Sequence, residues 1–184
     1  MAKWFVAFLA ISIFLHNTQT LSHAEAPASP SVEYQIKASL IFNILSFVKW
    51  PPAAEGDSPH SLTVCMAGGN PFGTALKPLE DLLIRGERLV FMEVFDVTNE
   101  GLSGCRVLFV TGTSKAGFGQ VLHRMQSQPV LTIGEHPEFL AAGGIINFRI
   151  VDNRLAFEIS RKAALNARLE ISSKLLRMAK YVEE

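Results

Sequence analysis

The chain has 184 residues, 48 % of them apolar, with 17 basic against 17 acidic side chains. That length suits one domain with one sizeable core, and the even charge balance, with no basic run, argues against a nucleic-acid partner. Only two cysteines are present, with no Cys-x-x-Cys, so a thioredoxin-like redox role has no support.

The first element is a leader. Lys3 precedes the apolar run Trp4 to Leu15, and small residues follow at Ser22, Ala24 and Ala26. This is the plan of a secretory signal peptide, with an apolar core too short for a spanning helix; an uncleaved membrane anchor is the other arrangement it allows. Cleavage after Ala24 is preferred, because cleavage after Ala26 would leave Pro27 at the new N-terminus. Removing 24 of 184 residues leaves 160 and takes away Lys3 but no carboxylate, so 17 against 17 becomes 16 basic against 17 acidic. The expected organisation is a signal peptide over 1–24, a polar lead-in over 25–32 and one domain over 33–184. The expected product is exported to the periplasm and has no membrane span in its mature part.

Ile36, Leu40, Ile44, Phe47 and Val48 recur at helical spacing and predict a helix over 33–50, capped by Ser31 and ended by Pro51-Pro52. Phe42, Phe47 and Trp50 are expected in the core; the polar side has too few Lys and Arg for a membrane-surface helix. "AAEGDSPH" over 53–60 reads as a surface loop and precedes a strand over 61–67, which runs into the turn Gly68-Gly69-Asn70-Pro71. A helix over 71–83 should follow, with Pro78 an awkward interior residue. Strands are expected over 88–95, 106–110 and 129–133, with a helix over 114–126 and a helical turn over 137–142. Asp152-Asn153 marks a hairpin turn. Residues 161–182 read as one long helix capped by Ser160, with Leu165, Leu169, Leu175, Leu176, Ala179 and Val182 on its apolar face. The fold class is therefore α/β. A single layered domain is expected, with a largely parallel sheet, helices on both faces, an antiparallel hairpin near the C-terminal edge and a long C-terminal helix.

The chemistry-bearing motifs are mostly negative. A phosphate loop needs Lys-Ser/Thr after its last glycine, and a dinucleotide fingerprint needs Gly-x-Gly-x-x-Gly. Gly68, Gly69 and Gly73 fit neither, so the turn reads as a tight strand-to-helix connection. There is no Gly-x-Ser-x-Gly and no His-Glu-x-x-His, and His60, His123, His136 and Glu158 have no evident catalytic mates in the sequence. The reading is of a protein without catalytic residues, metal site or cofactor. Cys65 and Cys105, in an exported chain, read first as a disulfide and otherwise as two separately buried thiols.

Several stretches together resemble the YfiR-like family. They are "IKASLIFNILSFVKWP", "TVCMAGGNPFG", "CRVLFV", and "VLTIGE" leading into "FLAAGGIINFRIVDNRLAFEIS" and "ARLEISSKLLRMA". The resemblance spans about 33–182. It implies a periplasmic repressor that binds the periplasmic sensor region of a membrane-bound diguanylate cyclase and lowers cyclic di-GMP, and so restrains biofilm formation. It also implies an outer-membrane lipoprotein that sequesters the repressor. Some members carry a second cysteine pair in the C-terminal half, where this chain has Ala141-Ala142-Gly143-Gly144.

Two classes of function remain. A partner-binding regulator needs an exposed apolar surface, and Ile171 and Met178, which widen the apolar stripe of the last helix, are its candidates for a cyclase or for a second copy in a homodimer. A small-ligand sensor without catalysis would use the carboxyl ends of the parallel strands, where Gly68, Gly69, Asn70, Ser114 and His136 are expected to gather.

Overall fold

Strand β2 (Ser61–Ala67) alternates its side chains between two cores. Leu62, Val64 and Met66 enter one, while Cys65 and Ala67 enter the other. Strand β5 (Val107–Val110) does the same with Val107 and Phe109 against Leu108 and Val110, and all four residues are buried. A strand buried on both faces reads as a continuous apolar run, which is why these elements were visible in the sequence.

The structure is a computed structural model that describes residues 31–52, 60–95, 97–98, 100–112 and 115–184. The expected signal peptide and Ser114 lie outside the described residues. Helix α1 (Val32–Leu45) and the two-residue strand β1 (Val48–Lys49) precede β2. A 3₁₀ helix (Gly73–Leu79) then leads to β3 (Leu83–Ile84), β4 (Glu87–Val94), β5 and helix α2 (Lys115–Met125). Strands β6 (Leu131–Gly134), β7 (Ile146–Val151) and β8 (Arg154–Ser160) follow, then α3 (Arg161–Asn166), β9 (Glu170–Ile171), α4 (Ser173–Met178) and β10 (Tyr181–Glu183).

Eight strands form one sheet in the order β10-β8-β7-β6-β5-β2-β4-β3, and β1 and β9 form a separate antiparallel ribbon. Pairings from β4 through β7, and β8 with β10, are parallel; β7–β8 and β3–β4 are antiparallel. The expected α/β class, the mostly parallel sheet and the hairpin near one edge are therefore present. Asp152 and Asn153 take φ of 50° and 58°, the two left-handed positions a tight hairpin turn requires. Helix α2 brings Phe118, Val121, Leu122 and Met125 to one face of the sheet. Helices α1, α3 and α4 and the 3₁₀ segment cover the other.

Three expected helices are corrected. The long C-terminal helix is absent: α3 stops at Asn166, Arg168 reverses the chain at φ 57°, and β9 pairs with β1 through Val48↔Ile171 and Lys49↔Glu170. Ser172 then starts a new helix, its hydroxyl accepting from the Leu175 N–H at 3.2 Å, and Ala179 returns to extended backbone so that β10 can pair with β8. The leucines fit one helix in spacing, but they serve two short ones. The first helix ends at Leu45 instead of Trp50, because Val48 and Lys49 are claimed by β9. The segment over 71–83 is a 3₁₀ helix followed by β3. Pro78 lacks the N–H that an α-helical ladder needs.

The buried side of α1 also differs from expectation. Ile36 is exposed, and the helix buries Lys37, Ala38, Ile41, Ile44 and Leu45. Phe42, Phe47 and Trp50 are half-buried against the same core.

Candidate functional site

The glycine turn is explained by a close approach. A Cβ on Gly68 would run into the backbone carbonyl of Thr111, and Gly68 has φ of 90°. Glycine is the residue that meets both demands. The Thr111 hydroxyl donates to the carbonyls of Ala67 at 2.9 Å and Gly69 at 3.3 Å, which ties the end of β2 to the end of β5. Asn70 Oδ1 accepts from the Phe72 N–H at 3.0 Å. Phe72 is thereby turned into the core, where its ring meets Tyr34 and Phe109 edge-on at 5.2 and 4.8 Å. The motif thus anchors an aromatic side chain.

Above that aromatic stack, at the carboxyl ends of β6 and β5, lies a charged cluster that the sequence reading did not single out. Lys37 is 4 % exposed and pairs with both Glu33, one turn back on α1, and Glu135, just past β6. The Tyr34 hydroxyl donates to Glu135 Oε1 at 2.8 Å, and the Lys37 ammonium sits 4.4 Å from the Tyr34 ring centre. Burial, then the hydrogen bond to Glu135, then the negative charge of Glu135 and Glu33, push the Tyr34 phenol well above the usual tyrosine range. An ammonium held by two carboxylates has no lone pair with which to attack, so the arrangement clamps α1 to the sheet and offers no nucleophile. The sequence signal was a lysine inside an apolar helix four residues after a glutamate. Its second partner, 98 positions away, was not visible.

A cavity of about 440 Å³ opens beside this cluster, lined by Tyr34, Lys37, Thr111, Glu135 and His136 among others. Of the residues expected to form a ligand edge, His136 lines it. Its Nδ1 accepts from the Glu138 N–H at 3.1 Å, and its ring lies 4.8 Å from that of Phe118. Gly68, Gly69 and Asn70 are engaged in the turn just described, and Ser114 lies outside the described residues. Phe139 closes the neighbouring surface: its ring is clasped between Gly134 and Gly144, where a Cβ on either glycine would overlap it. Among the described residues no group of three or more His, Cys, Asp or Glu side chains is placed to hold a metal ion.

Cys65 and Cys105 are bonded, with Cα atoms 5.8 Å apart, and the bridge lies in the core under α2. Two adjacent parallel strands bring them together: Cys65 lies opposite Leu108, and Cys105 stands two positions before the start of β5 at Val107.

The residues expected to face a partner are separated. Ile171 is half-buried in the β1–β9 ribbon against the core, whereas Met178 at the end of α4 is exposed. A more concentrated apolar surface lies on the opposite side of the sheet. Of eleven exposed large apolar residues among those described, five (Leu82, Leu83, Val90, Met92 and Phe95) come from β3, β4 and their immediate flanks. Strand β3 pairs only with Glu87 and Arg88, so from Val90 onward β4 has no strand on its outer side among the described residues. Val90 and Met92 share a face of β4 with Val94, which packs into the core under α2, yet both are exposed.

A family model described as YfiR/HmsC-like matches residues 34–180. The chain belongs to the YfiR/HmsC-like family. In this YfiR/HmsC-like chain the matched span begins at Tyr34 of the charged cluster and includes the disulfide, the ribbon and all of the sheet except β10. Among the described residues no helix is long and apolar enough to cross a membrane.

Proposed function

We propose that this protein is a periplasmic regulator that binds the periplasmic sensor region of a membrane diguanylate cyclase, holds it off and so lowers cyclic di-GMP. The observation that carries the reading is the YfiR/HmsC-like family match over residues 34–180, which takes in nearly the whole domain. The disulfide fits an oxidising compartment. The family is regulatory in character.

The contact surface we assign is the outer edge of β4 with Val90, Met92 and Phe95. An unpaired strand edge offers backbone donors and acceptors to an incoming strand, and apolar side chains beside it supply the desolvated centre of an interface. Met178 remains a second point of contact. Ile171 does not, since a charge there would break the ribbon before it tested any interface. An outer-membrane lipoprotein that sequesters the regulator, and a second copy of the chain, are the competing occupants of the same surfaces.

Deletion of the gene should raise cyclic di-GMP and biofilm formation under conditions in which the protein is expressed. Unchanged cyclic di-GMP would remove the case for a cyclase repressor. A second reading, a ligand sensor at the carboxyl edge, has the 440 Å³ cavity in its favour. Its innermost polar groups, Lys37, Tyr34 and Glu135, are already committed to one another.

A further inference from the structure

The backbone hydrogen bonds of β4 determine which of its groups face outward. The Arg88 N–H donates to the carbonyl of His60, just before β2. The Leu89 N–H donates instead to the Leu82 carbonyl at 2.9 Å, and the Leu89 carbonyl accepts from the Asp81 N–H at 3.0 Å. Backbone groups alternate from edge to edge along a strand, so those of Phe91 and Glu93 face outward with Leu89. Among the described residues no backbone hydrogen bond reaches Phe91 or Glu93 from that side. Asp81 takes φ of 63°, and Asp81 and Leu82 together meet the single Leu89. That is the pattern of a bulge, which bends a covering chain off its neighbour. Two donors and two acceptors are left at two-residue spacing, beside the exposed Val90 and Met92.

Carboxylates dominate the charge here. From Leu89 to Cys105 the sequence holds Glu93, Asp96 and Glu100 and neither Lys nor Arg. Glu93 stands exposed on the face of β4 opposite Val90 and Met92. Arg88, at the covered end of the strand, is paired with Asp81 at 3.5 Å. Arg124 of α2 reaches the loop after β4 and donates to the Val97 carbonyl at 2.7 Å, which still leaves carboxylates in excess. A second copy of the chain would bring the same carboxylates to the same edge. Charge therefore disfavours self-pairing and favours a segment of opposite sign.

We infer that the β4 edge takes an extended segment of the partner protein, basic on one face and apolar on the other, which joins the sheet antiparallel to β4 on the line of β3. Its backbone pairs with Phe91 and Glu93. Apolar side chains on one face cover Val90 and Met92, and a Lys or Arg on the other lies beside Glu93. The inference deepens the regulator reading and rests on it for the partner, while the strand geometry comes from the hydrogen bonds of β4.

The probe is the fluorescein-labelled peptide Thr-Val-Lys-Val-Lys-Val-Thr-amide, titrated with the whole disulfide-bonded protein and read by anisotropy. It should bind saturably, and a counterpart with Glu in place of Lys should bind at least about tenfold more weakly. Directly opposed residues of an antiparallel pair share a face and exchange both bonds, so the Lys and Thr amides meet β4. N-methylation of those residues should abolish binding, while N-methylation of the valines should leave it intact. Glu93→Pro removes an outward N–H at a place where an edge strand tolerates proline, and should abolish binding. Glu93→Gln should keep binding but narrow the preference for Lys. Absence of binding, equal binding of the Glu peptide, or indifference to which amides are methylated would overturn the inference, and the methylated probes decide it even if Glu93→Pro does not fold. A dimer that Glu93→Pro dissociates would also overturn it, since a second copy would then be the occupant. If the probes fail while deletion of the gene still raises cyclic di-GMP, strand addition falls and the regulator reading stands. If they bind while deletion changes nothing, the cyclase falls and the strand site stands.

Discussion

The two ends of the parallel sheet are built on opposite plans. At the carboxyl end, where an open α/β sheet ordinarily receives its ligand, the polar groups beside the 440 Å³ cavity are committed to one another. Gly68 lets the β2 turn press against Thr111, Phe72 is drawn down into the core, and α1 brings Lys37 to Glu135. At the amino end, among the described residues, three arginines and one carboxylate line a groove of about 990 Å³. Topology therefore says where a crevice can form, while the pairing of polar groups decides whether it remains available.

The largest expected effect breaks the closed end. Lys37→Met removes the ammonium and leaves Glu135 facing Glu33 and Tyr34 without a counter-charge. Losing one partner of a buried pair costs about 3–5 kcal/mol, to be read as a lower urea midpoint. Arg168→Gln at the open end should stay within about 0.5 kcal/mol of wild type, as exposed substitutions do. Equal losses at the two positions would erase the contrast.

Next in size is the bridge. Cys65→Ser with Cys105→Ser releases a crosslink of 40 positions between β2 and the approach to β5. The expected loss is about 2–4 kcal/mol. Free-thiol titration of the unfolded, unreduced periplasmic protein should find no thiols, and two per chain would contradict the bond.

The smallest effect is in pH. The folded state raises the Tyr34 phenol above its unfolded value, so it holds that proton more tightly than the unfolded chain does. The associated stability is fully present below the unfolded pKa of about 10 and is lost as pH rises through the folded value. Tyr34→Phe should therefore unfold at a slightly lower temperature at neutral pH but show a flatter decline above about pH 10. Parallel melting curves for the two proteins across that range would show that Tyr34 does not hold its proton in the fold.

Much of the sheet was legible because its signals are local. Val64 and Val107 sit in runs that are apolar on both faces, and Asp152-Asn153 supplies its own turn geometry. The C-terminal segment was not, since Leu165, Leu169, Leu175 and Leu176 satisfy helical spacing while the reversal at Arg168 answers to a strand more than a hundred residues earlier. Ser172-Ser173 was the overlooked hint, because serine favours a helix start over a helix interior. The buried side of α1 was undetermined for a different reason. With Ile36, Ile41, Phe42 and Leu45 around its circumference, spacing alone could not choose a face, and Lys37 was drawn inward by the distant Glu135. The arginine groove was hidden in the same way, since Arg85, Arg106 and Arg168 meet only after folding.

The central claim is that this chain restrains a diguanylate cyclase through contact at the β4 edge. Its most direct test is cyclic di-GMP in a deletion strain complemented with wild type, with Met92→Lys plus Phe95→Lys, or with Arg168→Gln, each checked for export and for an unchanged melting temperature. Wild type and Arg168→Gln should restore low cyclic di-GMP, while the folded, exported double variant should leave it at the deletion level. Full restoration by the double variant would contradict the claim.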